Sequence, residues 1–173
     1  LVVYGVFRYF YLIHRRAGEE VARSTLRLDG QRLTGELTGG GVVVKGELSF
    51  DQSGMVRAYK RTTRRDGRLV SSVSLRLRSD GSGYTLRESR PVGGRSTALK
   101  GGRVKMVLDA AWPDCVIPVL SKIDAGRVPL ADLARESVVL GDIRPRDHGA
   151  RYLDIPGGGP TLELDDQRGF SRL

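Results

Sequence analysis

The feature that most limits what this chain can fold into is an alternation of apolar and polar side chains, broken by glycine-containing turns at about ten-residue spacing. Between the Asp66-Gly67 and Asp80-Gly81 dipeptides, Leu69, Ser71, Val73, Leu75 and Leu77 form one set and Ser72, Ser74, Arg76 and Arg78 the other. A period of two sends successive side chains to opposite faces of an extended strand, which a helix cannot do. Asp-Gly occurs also at Asp29-Gly30, and such dipeptides favour tight hairpins because glycine tolerates a positive φ. The segments 20–28, 31–38, 42–50, 55–64 and 83–90 are bounded in the same way. The pattern predicts a mainly β protein, an antiparallel meander forming a bent sheet or partly closed barrel. No parallel β-α-β pattern is visible.

The first strand, Tyr4 to His14, is the most apolar. Phe7, Tyr9, Tyr11 and Ile13 share one face, and Val6, Arg8, Phe10, Leu12 and His14 the other. Apolar groups on both faces predict a central strand covered on both sides. The run from Leu1 to Ile13 is shorter than the ~20 residues that span a bilayer, and Arg8 interrupts it. A chain that begins at Leu1 is compatible with a removed leader or with a truncated start.

At Ala110-Ala111-Trp112-Pro113 the pattern changes to helical spacing, and one covering helix is expected near residues 114–125. Asp114 is placed to cap it, with Val116, Val119, Leu120 and Ile123 on one face and Gly126 beyond its end. Pro118 is harmless if the helix starts near Ile117 and kinks it if it starts at Asp114. Pro129 to Arg135 reads as a second short helical turn. Strand-like runs return at 137–143, 150–155, 161–164 and 170–173. At 173 residues without a linker or repeat, residues 1–173 form a single β-rich domain in this reading.

Little in the chain carries chemistry. Gly39-Gly40-Gly41 and Gly157-Gly158-Gly159 fit neither the dinucleotide nor the P-loop spacing and read as turns. His14 and His148 have no metal-ligand spacing, even with Asp142 and Asp147 nearby. Neither a metal nor a cofactor is expected. Cys115, the lone cysteine, sits at the expected helix start, where the dipole lowers a thiol pKa, but beside Asp114, which opposes a thiolate. It reads as a small buried apolar residue. Asp109 and Asp114, flanking the single Trp, are the carboxylates best placed to act inside a barrel. No serine shows a nucleophile-elbow pattern, so no catalytic residue is assigned.

Lys and Arg number 29 against 20 acidic residues, a net charge of +9. That excess favours anionic partners. Arg57, Lys60, Arg61, Arg64, Arg65, Arg68, Arg76, Arg78, Arg87, Arg90 and Arg95 fall in adjacent meander strands and turns, so some of them should form a positive stripe across the outer sheet. An antiparallel sheet needs a polar solvent face in any case. Nucleic-acid platforms interleave exposed aromatics, which here cluster near the N-terminus, so an anionic membrane surface fits at least as well.

A long apolar first strand, the turn into Gly18-Glu19-Glu20, repeated Asp-Gly hairpins and a late helical segment at Trp112 to Ile123 resemble the bent-sheet half-barrels of the bacterial envelope, the lipoprotein-carrier-like group. The resemblance implies an acyl chain or other apolar ligand held between a concave sheet and a covering helix, in a periplasmic or envelope location. With it goes the expectation of a non-enzymatic binding protein whose ligand-lining residues are Phe7, Tyr9, Tyr11, Trp112, Val116, Val119 and Leu120. The alternatives are a small β-barrel cyclase or isomerase, using Asp109 or Asp114, and a basic nucleic-acid-binding module.

Overall fold

Eight strands follow one another with only hairpin turns between them: β1 Phe7–Arg16, β2 Glu19–Asp29, β3 Arg32–Gly39, β4 Val42–Phe50, β5 Val56–Arg65, β6 Arg68–Leu77, β7 Gly83–Ser89 and β8 Gly94–Lys100. The structure, a computed structural model, describes residues 7–120, 123, 125–145, 151–155, 162–165 and 169–172. Each strand pairs antiparallel with the next, so spatial order equals chain order. Three of the turns, Ala17-Gly18, Gly40-Gly41 and Asp66-Gly67, hold both residues at positive φ, which matches the twist of the flanking strands. The glycine run at 39–41 is thus a hairpin turn.

A second sheet has the order β14-β13-β12-β11-β10-β9. Its strands are β9 Met106–Leu108, β10 Gly126–Asp132, β11 Ser137–Pro145, β12 Arg151–Asp154, β13 Leu162–Asp165 and β14 Gly169–Arg172. Between β9 and β10 runs a helical crossover, a 3₁₀ turn at Pro113–Val116 continuing into α1, Ile117–Leu120. The eight-stranded sheet turns Leu26, Leu28, Leu33, Val44, Leu48, Val56, Tyr59, Val73, Leu75, Tyr84, Leu86 and Leu99 inward, and they pack with Met106, Trp112, Val116, Leu120, Leu130 and Ile143 in one hydrophobic cluster. The alternation places these residues there, since their chain neighbours face solvent. Ahead of β11, Glu136 accepts a hydrogen bond from Thr97 Oγ1 at 3.3 Å and pairs with Arg95 at 2.5 Å, tying β8 to the second sheet.

Four expectations are corrected. β1 lies at the edge of its sheet, pairing with β2 alone among the described residues, and Ile13 is exposed. Residues 129–132, expected as helical, belong to strand β10; Val128 and Leu130 point into the core, and Pro129 gives its carbonyl to Lys105 N at 2.8 Å while its missing N–H costs no ladder bond to β9, since the β9–β10 pairing starts only at Leu130 with Met106. β9 and β10 are parallel, so the crossover is a short β-α-β unit that three-residue β9 is too brief to announce. Asp114 caps nothing: Trp112 holds the N-cap position without a side-chain bond. α1 does begin at Ile117, which puts Pro118 in its first turn, where no helical hydrogen bond is lost.

Candidate functional site

The crossover is held against the concave sheet by Trp112. Gly35 on β3 and Gly46 on β4 are direct cross-strand partners, and the indole lies over both. A Cβ added at Gly46 would come within 2.1 Å of the ring, and one at Gly35 within 2.8 Å. Glycine inside a strand marks such close approach. Tyr59 stacks beside the indole, with ring centroids 5.9 Å apart and planes at 26°.

Two buried polar clusters flank this platform. Asp109 accepts from the Tyr59 hydroxyl and from Arg61 Nε through the same oxygen, Oδ2, each at 2.6 Å, and its Oδ1 accepts from Ala111 N at 2.8 Å. Arg61 reaches on to Thr63 Oγ1 at 2.5 Å and Ser71 Oγ at 3.2 Å. Burial and the Asp109 charge push the Tyr59 phenol well above its ordinary pKa. In the second cluster Asp114 Oδ2 accepts from the Ser24 hydroxyl at 2.5 Å and lies 3.0 Å from His14 Nε2, which is itself 2.9 Å from Ser24 Oγ. The residue types are those of a hydrolytic triad, but the geometry is not. One ring nitrogen meets both partners, whereas a relay needs the carboxylate on one nitrogen and the hydroxyl on the other. Asp114 Oδ1 and Trp112 Nε1 are buried with no hydrogen-bond partner among the described residues.

Cys115 is fully buried, and its thiol lies 3.2 Å from the Val107 carbonyl. Burial first, and the Asp109 and Asp114 charges next, raise its pKa well above the usual value. It behaves as core and not as a nucleophile.

At one end of the concave face opens a cleft of about 290 Å³. Its apolar wall is Leu28 and Phe50 from the sheet and Val119 and Ile123 from the crossover side, and its rim carries Gln31, the loop from Asp51 to Gly54, and Lys105. Asp51 is occupied: Oδ1 accepts from Ser53 N at 2.8 Å, Ser53 Oγ at 2.7 Å and Met55 N at 3.0 Å, while Oδ2 pairs with Arg103. Lys105, half-buried, forms no ion pair among the described residues. Neither Asp109 nor Asp114 lines the cleft.

Of the residues expected to line a ligand site, Val119 faces this cleft. Trp112, Val116 and Leu120 are instead completely buried in the core behind it. Phe7, Tyr9 and Tyr11 lie on β1, and their side chains fall outside the described residues, as does His148. Leu28, Phe50 and Lys105 were missed from sequence. Leu28 and Phe50 read as ordinary inward residues of an alternating strand, and nothing local marks a strand's inward end as the mouth of a cleft.

A concave antiparallel meander, crossed by a helical segment and partnered by a second curled sheet, defines a β-barrel-like half-barrel protein. No family model matches the sequence, and no curated protein matches it. Among solved structures, a DUF1089 family protein from Pseudomonas aeruginosa shares the fold, with a TM-score of 0.52 at 13% identity over 94% of each chain. A β-barrel-like protein of domain of unknown function DUF1849 from Brucella abortus gives a TM-score of 0.35 at 14% identity over 94% of this chain and 70% of that one.

Proposed function

We propose that the protein is a non-enzymatic carrier or receptor that holds an apolar ligand in the cleft between the concave sheet and the crossover. The observation that carries this reading is the cleft itself, walled by Leu28, Phe50, Val119 and Ile123 and rimmed by polar groups. Small-molecule sites have this character, an apolar wall with a few polar groups that fix orientation. Size restricts the ligand: about 290 Å³ stands at the lower end of the usual ~300–1,000 Å³. One acyl chain of modest length suits it better than a two-tailed lipid. Val119 contacts the ligand, and Trp112, Val116 and Leu120 form the packed backing that keeps the wall in place. Lys105, a rim cation with no ion pair among the described residues, faces the ligand's polar end.

The resemblance to lipoprotein-carrier-like half-barrels supports the same reading, because that group holds acyl chains between sheet and helix. It brings with it an envelope or periplasmic site of action. The test is titration with decanoic acid, read by native mass spectrometry and calorimetry. The intact protein is expected to bind one molecule saturably, and Val119→Trp, which fills the cleft, to weaken binding at least tenfold. Val92→Trp, at a position 94% exposed and remote from the cleft, should bind as the parent does. Absence of saturable binding, or equal binding by Val119→Trp, overturns the reading.

A further inference from the structure

Strands β2–β4 and β5–β8 carry their cations differently on the convex face. On β2 to β4 the positive groups have counter-charges: Arg23 with Glu20, Arg27 with Asp29, Arg32 with Glu47 and Lys45 with Glu36. β5, β6 and β8 contain no Asp or Glu, and the single acid of β7, Glu88, stands opposite inward-facing Val73 and is held by Arg90 and Arg95. Lys60, Arg76, Arg87 and Lys100 all project from the convex side of these strands, are exposed, and form no ion pair among the described residues.

Their register makes them one patch. Lys60, Ser74, Arg87 and Ser96 are successive cross-strand partners, and Ala58, Arg76, Thr85 and Ala98 form the neighbouring row. Strands lie ~4.8 Å apart, so Lys60 and Arg87, two strands apart, are separated by about 10 Å. That is close to the ~8 Å Debye length at physiological salt, and the charges therefore present one positive field to an approaching surface. On β2 to β4 every Lys and Arg has an acid beside it, whereas these four cations on neighbouring strands have none among the described residues, and that contrast is what requires a cause.

We infer that the convex face of β5–β8 docks on an anionic lipid bilayer. A broad sheet face bearing cations interleaved with Ser, Thr and Ala matches a plane of negative headgroups. It lacks what single-stranded nucleic acid requires, since the tyrosines of these strands, Tyr59 and Tyr84, point into the core and leave no exposed ring for stacking. The patch lies on the opposite side of the sheet from the ligand cleft, so it stands whether or not the cleft binds an acyl chain.

The experiment is vesicle flotation at low and high salt, comparing pure phosphatidylcholine with vesicles containing phosphatidylglycerol. Binding to the anionic vesicles alone, released by salt, is expected. Each charge removed should weaken it about fivefold, so Arg76→Gln with Arg87→Gln costs roughly 25-fold. Arg32→Gln, on the paired half, should change it less than twofold. Unchanged far-UV circular dichroism and melting show that the variants remain folded, as expected for exposed positions. Equal binding to both vesicle types, unaltered binding by the double variant, or tighter binding to a single-stranded oligonucleotide that the double variant abolishes, each overturns the inference.

Discussion

Asp109 shows how one side chain fixes the interior. Its two oxygens satisfy a phenol, a guanidinium and a backbone N–H, and its charge is the counter-charge that lets Arg61 remain 8% exposed. A buried pair of this kind adds little over an apolar pair of the same shape, but stripping one partner leaves the other charge stranded. Asp109→Leu is therefore expected to cost about 3–5 kcal/mol, a fall in Tm of roughly 6–20 °C for a chain of this size. Removing both charges, with Arg61→Leu added, should cost less than the two single losses together. Thermal unfolding of the three variants measures this, and a single-variant loss under about 1 kcal/mol would show that the pair bears no structural weight. In the sequence Asp109 stands out as a carboxylate near the Trp, but Arg61 reads as one more surface cation. Alternation assigns Tyr59 and Arg61 to the same face; only the partner 48 residues away explains why that face is the buried one.

The elements were legible in proportion to how fully a local rule determines them. Strands β2 to β7 announce themselves, because each is long, alternates cleanly and is closed by a turn whose residues accept positive φ. β8 escaped notice because its inward positions carry only one fully buried apolar residue, Leu99, and its start is Gly94. β10 departs from the helical turn expected at Pro129 to Arg135, and Pro129 is no obstacle to the strand because its position lies outside the β9 ladder. Gly35 and Gly46 were readable in principle as strand-interior glycines, but that Trp112 lies on them is a fact of tertiary packing. Gly46→Ala tests the platform. The added methyl would meet the indole at 2.1 Å, far inside contact distance, so Trp112 must shift or the strands part. Overpacking of this order costs about 1–3 kcal/mol. In a Trp112→Leu background, where the ring is gone, Gly46→Ala should cost less than half as much, as denaturant unfolding of the four-variant cycle will read. Equal costs in both backgrounds would mean that the glycine serves the strand and not the tryptophan.

At the scale of the molecule the question is how two sheets of opposite position in the chain become one folding unit. Their connections include the crossover, whose Trp112 is carried between β9 and β10 yet seated on β3 and β4, the bonds of Asp109 to Tyr59 and Arg61, and the contacts of Arg95 and Thr97 with Glu136. Buried residues of both sheets and of the crossover belong to one apolar cluster. A core that is continuous through the crossover cannot lose one sheet without exposing the inner face of the other, which makes separate melting unfavourable. Trp112 is the single tryptophan and sits at the seam, so its fluorescence reports the junction while far-UV circular dichroism reports the strands. Chemical denaturation followed by the two signals is expected to give coincident transitions with one midpoint. If the seam were a late, weak docking of two self-sufficient sheets, the fluorescence transition would come first, at lower denaturant, with most of the strand signal still present. The same comparison on Gly46→Ala sharpens the choice: with a shared core both transitions move down together, whereas with independent sheets only the tryptophan signal moves.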